Sequence, residues 1–199
     1  MKAPGPGDAL LVVDVQHDFL PGGALGIAHG DAVVPPLNRL LDAWRDRGWP
    51  VFLSRDWHPA DHCSFTARGG PWPVHCVAGT AGAEFAPSLR VAPGDTVISK
   101  ATSRERDAYS ALDGTPLAEC LRRAAVRRLF IGGLATDYCV RATGLDARAS
   151  GLEVVVLRDA VCAVDVQPGD GARALAELVS AGCEIATTDE VRSAIGAQT

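Results

Sequence analysis

The chain has 199 residues, 47% of them hydrophobic and 22% charged, which is the composition of an ordinary globular domain. Its formal net charge is −5 and it has no dense basic cluster, so nucleic acid is not an expected partner. The first residues lack the apolar core of a signal peptide, and no apolar run reaches the roughly 18 residues of a membrane helix, so we expect one cytoplasmic domain over residues 1–199 without membrane contact.

The predicted elements alternate between strand and helix along the whole chain. Short apolar runs predict strands at 9–15, 50–54, 95–100, 128–132, 153–157 and 184–186. Apolar residues at helical spacing predict helices at 31–47, 115–125, 137–151, 172–181 and from 188 or 189 onwards, with Thr115 and Asp137 as amino-terminal caps. This alternation is typical of a three-layer α/β/α fold, in which helices cover both faces of a parallel sheet.

A long stretch without regular structure interrupts this alternation, from His58 to about Pro93. Loops of this length inside a compact domain are uncommon and are more often functional than not. This one holds His58, His62 and His75, three of the five histidines in the chain.

Four residues with reactive side chains lie at or just after the ends of four predicted strands: Asp14, Asp56, Lys100 and Cys139. In open parallel sheets the functional site lies beyond the carboxyl ends of the strands. We therefore expect these four side chains along one rim of the sheet.

Cys139 lies in the first turn of a predicted helix, where unpaired N–H groups stabilise a thiolate and lower the thiol pKa. Asp14 can accept its proton and Lys100 can hold the thiolate. The alternatives are a cysteine that is simply part of the core, a carboxylate that caps a turn and a solvated surface lysine. With no export signal, we expect all six cysteines to be free thiols.

Asp56 and His58 are spaced so that both side chains point to one side of an extended strand. With His75 they form a set that suits one divalent metal ion, either zinc, iron or manganese. Local hydrogen bonding of the two histidines is the alternative. A closed structural zinc site of His62, Cys63, His75 and Cys76 is less consistent with the spacing.

Aromatic residues follow the predicted strands in the same loops, at Phe19, Trp57, Trp72 and Tyr109. Some of them will pack in the core. Others would offer stacking walls to a flat heteroaromatic substrate.

The chain resembles the isochorismatase-like hydrolases, and within them the nicotinamidase (pyrazinamidase) branch, over about 9–187. The resemblance depends on motifs in one order: Asp14-x-Gln16-x-Asp18-Phe19, Asp56-Trp57-His58-Pro59, Trp72-Pro73-x-His75-Cys76, Lys100 and Gly133-Leu134-Ala135-Thr136-Asp137-Tyr138-Cys139-Val140. It implies a six-stranded parallel sheet in the order 3-2-1-4-5-6.

The resemblance also implies the residues of the site. The implied catalytic residues are Asp14, Lys100, Cys139 and Ala135, where a cis peptide between Leu134 and Ala135 turns the N–H groups of Ala135 and Cys139 into an oxyanion hole. The implied metal ligands are Asp56, His58 and His75, and the implied substrate-binding residues are Phe19, Trp72, Leu134 and Tyr109.

The implied activity is the hydrolysis of nicotinamide, or of a similar small amide such as pyrazinamide, through a cysteine thioester, as part of NAD salvage. Relatives acting on N-carbamoyl amides or isochorismate are an alternative and generally lack the Asp-x-His pair, and a non-catalytic thiol or metal-binding module is a further one. A homo-oligomer is left open. His17 stands where members of the family commonly have asparagine. Tyr109 lies nine residues after Lys100, a somewhat longer loop than in some relatives, which leaves its role open. His62 is not included among the implied ligands.

Overall fold

The computed structural model describes residues 1–197, which contain a six-stranded sheet. Its strands are β1 (Asp8–Val13), β2 (Val51–Asp56), β3 (Thr96–Lys100), β4 (Arg128–Leu134), β5 (Glu153–Cys162) and β6 (Glu184–Ala186). They lie in the order β3-β2-β1-β4-β5-β6, and each neighbouring pair is parallel. The predicted parallel sheet and its strand order are confirmed.

Five α-helices cover the sheet: α1 (Val34–Arg45), α2 (Leu117–Arg123), α3 (Arg141–Ala149), α4 (Asp170–Ser180) and α5 (Thr188–Gly196). Helices α1 and α5 contribute to the hydrophobic core on one face, and α2, α3 and α4 to the core on the other. The predicted three layers are confirmed. Among residues 1–197, none of the helices has the length and apolar character needed to cross a bilayer.

The central strand β1 shows why its sequence is continuously apolar. Leu10 and Val12 belong to one core, whereas Leu11 and Val13 belong to the other. A strand covered by helices on both sides buries both alternating sets of side chains.

Strand ends differ from the predicted ones where the backbone turns. Strand β1 ends at Val13 because Asp14 adopts a left-handed conformation with φ of 49°. Strand β2 continues two residues further than predicted and ends on Asp56, and β5 extends to Cys162. These changes place Asp14 just beyond β1 and Asp56 at the end of β2.

Two predicted helix caps are wrong. Pro116 holds the cap position of α2, and Thr115 instead accepts the N–H of Leu117 at 3.2 Å. Asp137 lies inside a π-helical turn, Thr136–Val140, that leads into α3. Its carboxylate accepts the N–H groups of Val164 and Asp165, so it ties this turn to the segment after β5 instead of capping it.

Two glycines in β4 allow close packing around its carboxyl end. A Cβ on Gly133, which has φ of 125°, would lie 2.0 Å from the carbonyl oxygen of Val13 in β1. A Cβ on Gly132 would lie 2.8 Å from the side chain of Leu37 in α1. Only glycine fits here, and the end of β4 can therefore approach the end of β1 closely.

The long segment after β2 contains only two short 3₁₀ turns, Thr66–Arg68 and Ala81–Ala83, as predicted. Hydrogen bonds fix it to the sheet. His58 donates its N–H to the carbonyl of Cys76 at 3.0 Å and accepts from Ala78 at 2.8 Å. This pairing brings the His75 end of the loop back to the end of β2.

Candidate active site

The ends of four strands bring Asp14, Asp56, Lys100 and Cys139 together. Asp56 pairs with Lys100 in the register between β2 and β3, and both are buried. Asp14 follows β1, and Cys139 lies five residues beyond the end of β4 in the π-helical turn. Each of the four adjacent strands β3, β2, β1 and β4 therefore places one reactive side chain at or beyond its carboxyl end.

Lys100 is the hub of the cluster. Its ammonium nitrogen, Nζ, lies 2.5 Å from Asp56 Oδ1, 3.1 Å from Asp14 Oδ2 and 3.4 Å from Cys139 Sγ. It also donates to the carbonyl of Ala108 at 3.0 Å. Burial opposes its charge, but Asp14 and Asp56 outweigh burial and raise the pKa of Lys100 well above its usual value. Lys100 is therefore a permanent buried cation, and not a solvated surface lysine.

The two carboxylates have opposite protonation tendencies. Burial raises the pKa of Asp14, although Lys100 and a 2.7 Å hydrogen bond from the Ser54 hydroxyl act against the rise. Burial also acts on Asp56, but there Lys100 and His58 prevail and hold its pKa well below the usual range. Asp14 is thus suited to exchanging a proton, whereas Asp56 is a fixed anion.

The Cys139 thiol is almost fully buried, which changes one expectation. Burial raises the pKa of Cys139 well above its usual value, and Lys100 only opposes this rise. The net direction is therefore opposite to the lowering predicted from the helix terminus, because burial dominates. A neutral thiol beside a raised-pKa carboxyl needs proton transfer to Asp14 before it can act as a nucleophile.

The peptide bond between Leu134 and Ala135 is cis, as the resemblance implied. The N–H groups of Tyr138 and Val140 both donate to the carbonyl of Ala135 at 3.1 Å. Ala135 lines the same cavity as Cys139.

Asp56, His58 and His75 form a group that could hold a metal ion, since one ligand atom from each lies within 4.8 Å of the others. Each histidine uses Nδ1 for a backbone carbonyl, His58 at 3.2 Å from Ala101 and His75 at 2.7 Å from Pro73. Metal-binding histidines commonly donate one ring N–H to a carbonyl in this way, which leaves Nε2 available to the metal. His58 Nε2 is buried without a hydrogen-bond partner.

Burial lowers the pKa of His75, which favours the neutral imidazole that binds metals. The donor set and the orphaned nitrogen of His58 fit a divalent cation. His62 does not join this group. Its Nδ1 lies 2.7 Å from the Ser64 hydroxyl and its Nε2 lies 3.1 Å from the carbonyl of Arg106, while its ring stacks on His58.

The cavity above these groups has an aromatic wall. Trp72 donates its indole N–H to the Tyr109 hydroxyl at 3.0 Å, and the rings of both lie against Tyr138. Phe19 also lines the cavity. Phe19, Trp72 and Tyr109 therefore all line this cavity, and their role in binding substrate stays a prediction.

Leu134 is the exception among the predicted substrate-binding residues. It is fully buried, and its side chain packs in the core near Gly30 instead of lining the cavity. Sequence reasoning missed several lining residues: Leu25, Ile27, Ser64, Asp107, Ala108, Tyr138 and Val164. Tyr138 could have been found from its position beside Cys139, but the others depend on loop paths.

Residues 8–190 match the family model described as "Isochorismatase domain". The chain is 39% identical over 203 residues to the nicotinamidase of Escherichia coli (strain K12), with 92% of this chain and 95% of the relative covered. It is similar to the solved structure of the pyrazinamidase of Pyrococcus horikoshii in complex with zinc, with a TM-score of 0.88, 48% identity and coverage of 92% and 99%. A structure from L. infantum in complex with nicotinate gives a TM-score of 0.85, 36% identity and coverage of 95% and 96%.

Proposed function

The chain belongs to the isochorismatase family and is a hydrolytic amidase, and from this we propose that it converts nicotinamide to nicotinate and ammonia. The observation that carries the proposal is the position of Lys100 Nζ, which contacts Asp14, Asp56 and Cys139 at once. Such a cluster gives a nucleophile, a proton carrier and a fixed counter-charge in one water-poor site.

We propose that Cys139 is the nucleophile. Asp14 accepts the thiol proton, and the sulfur attacks the carboxamide carbon while the carbonyl π electrons move to oxygen. The N–H groups of Ala135 and Cys139 bind this oxyanion. When the oxyanion collapses, the carbon–nitrogen bond breaks, and Asp14 returns the proton to the nitrogen that leaves as ammonia.

The thioester left on Cys139 is then hydrolysed. Asp14 takes a proton from the attacking water while the hydroxide adds to the thioester carbon. The carbon–sulfur bond then breaks, Asp14 returns the proton to the sulfur, and the product leaves as nicotinate after losing its carboxyl proton to solvent. Throughout the cycle Lys100 keeps its proton and stabilises negative charge on Cys139.

We propose that Asp56, His58 and His75 hold one divalent cation, with zinc as the leading choice because the Pyrococcus neighbour was solved with zinc. When bound, the cation supplies a Lewis-acidic anchor for the ring nitrogen of the substrate. The aromatic rings of Phe19, Trp72 and Tyr109 would flank the flat pyridine ring.

The decisive experiment measures ammonia released from nicotinamide by the purified protein, before chelation, after chelation and after zinc is restored. We expect ammonia release before chelation, no release after chelation, and renewed release once zinc is restored. N-carbamoylsarcosine serves as the competing substrate. Turnover of that compound but not of nicotinamide, or nicotinamide turnover that survives complete metal removal, would contradict the proposal.

A further inference from the structure

Strand β2 extends beyond its neighbour β1, and this leaves one side of Asp56 without a strand partner. The last residue pair between β1 and β2 is Val13 with Ser54, two residues before Asp56. After it the backbone turns away at Asp14. On the opposite side Asp56 is still paired with Lys100 of β3.

The side chain of Gln16 takes the place of the missing strand. Its Oε1 accepts the N–H of Asp56 at 2.7 Å, and its Nε2 donates to the carbonyl of Asp56 at 2.7 Å. The same Nε2 donates to the carbonyl of Ala83 at 2.9 Å. Gln16 is completely buried, so all three bonds are shielded from water.

The backbone around Gln16 is itself held in place. His17 donates its N–H to Glu84 at 2.9 Å, and Ala86 donates to Val15 at 2.9 Å. The position of the Gln16 amide is therefore set by its own backbone contacts and does not depend on the position of Asp56.

We propose that Gln16 is the positioning residue of the metal site. It fixes the main chain of Asp56 so that one carboxylate oxygen meets Lys100 and the other is presented to the cation beside His58. The inference rests on the proposed function, because it takes Asp56 as a metal ligand. Gln16 is not itself one of the proposed ligands, and it acts on the metal site through the main chain of Asp56.

A second buried amide provides a matched control. Asn38 in α1 donates to the carbonyl of Ser88 and accepts the N–H of Arg90, both at 2.8 Å. It clamps a main-chain segment with the same chemistry as Gln16, but that segment carries none of the proposed ligands. Its removal should cost stability without affecting a metal site.

The test compares Gln16→Met with Asn38→Leu, each of which replaces the amide by an apolar side chain of similar size. Zinc affinity is measured by competition with a chromogenic chelator, and the melting temperature of the metal-free protein is measured in parallel. We expect both variants to melt at lower temperature. Zinc affinity should fall about ten- to a hundredfold for Gln16→Met, the range typical of residues that hydrogen-bond to metal ligands, and stay within about twofold of wild type for Asn38→Leu.

Equal zinc affinity in Gln16→Met and wild type, or an equal loss in both variants, would overturn the inference. If Gln16→Met does not fold, Gln16→Asn repeats the comparison, since its amide is one methylene too short to keep both bonds to Asp56. Failure of the wild-type protein to bind zinc at all would contradict the proposed function. If the wild-type protein binds zinc and the Gln16 variant binds it equally well, the inference is contradicted but the proposed function is not.

Discussion

Lys100 Nζ lies 2.5 Å from Asp56 Oδ1, while the other oxygen of the same carboxylate faces His58 Nε2 at 3.7 Å. One buried carboxylate is thus shared between the ammonium of Lys100, which also contacts Cys139, and the residues proposed to bind a metal ion. Because of this sharing, a change on either side alters the electrostatics of the other.

The first prediction concerns the nucleophile. Replacing Cys139 by alanine should reduce nicotinamide hydrolysis at least about a thousandfold, because no sulfur remains to form the thioester. Rapid acid quenching followed by mass spectrometry should show a nicotinoyl adduct on wild type only. Cys120→Ala, a half-buried thiol in α2, is the control and should keep full activity. Substantial turnover by the Cys139 variant would contradict the mechanism.

The second prediction concerns the buried cation. Lys100→Met leaves Asp14 and Asp56 without their counter-charge, and the free energy of unfolding should fall by about 3–5 kcal/mol. Lys100 lowers the pKa of Cys139, so its removal should raise that pKa further. Urea unfolding and the pH dependence of thiol alkylation measure the two effects. Lys2→Met, which changes the exposed second lysine, should change neither, and an unaltered thiol pKa in Lys100→Met would favour a non-catalytic thiol module.

The third prediction is a pH dependence. Asp14 accepts a proton only when ionised, and burial raises its pKa above the usual value. The value of kcat/KM should therefore fall as the pH decreases through this raised pKa, at a higher pH than an exposed aspartate would give. Metal content is measured at each pH so that loss of the cation is not mistaken for protonation. A kcat/KM that stays constant down to about pH 4 would exclude Asp14 as the base.

The fourth prediction concerns the metal ligands. His75→Ala removes one of the three proposed ligand groups, and zinc content after dialysis should fall from about one equivalent to near zero, with activity falling in parallel. Elemental analysis provides the measurement. His17→Ala, an exposed histidine outside the group, is the matched control and should retain its zinc. Retention of zinc by the His75 variant would mean that other residues bind it.

The fifth prediction concerns the aromatic wall. Tyr109→Phe removes the acceptor of the Trp72 indole N–H but keeps the ring against Tyr138. We expect KM for nicotinamide to rise about two- to tenfold with little change in kcat, because a partly exposed hydrogen bond contributes about 0.5–1.5 kcal/mol. Steady-state kinetics test this. A large loss of kcat would instead place the Tyr109 hydroxyl in the chemistry.

Much of the fold and the gathering of the cluster could be predicted because they follow from local patterns and one topological rule. Alternating strands and helices predict a parallel sheet, and the ends of parallel strands meet at one edge. Asp14, Lys100 and Cys139 could therefore be expected to converge. Their catalytic roles stay predictions that the experiments above address.

What could not be predicted depends on contacts between distant segments. The carboxylate of Asp18 accepts the N–H of Cys76 at 2.8 Å and so fixes the loop next to His75. These two residues are 58 positions apart in the sequence. The hydrogen bonds between the Gln16 side chain and the main chain of Asp56 likewise join residues that are far apart in the sequence. The direction of the Cys139 pKa shift also depends on burial, which only the packed structure determines.

Ala101 follows Lys100 directly, and its carbonyl accepts from Nδ1 of His58. The end of a single strand therefore orients both the ammonium beside the sulfur and an imidazole of the proposed metal set. Substitutions near this strand end should show strongly non-additive effects in double-mutant cycles that pair it with either His58 or Cys139. Selection on metal preference and selection on thiol reactivity would act on the same few atoms. We therefore expect that a change in one of these two properties during evolution is accompanied by a change in the other.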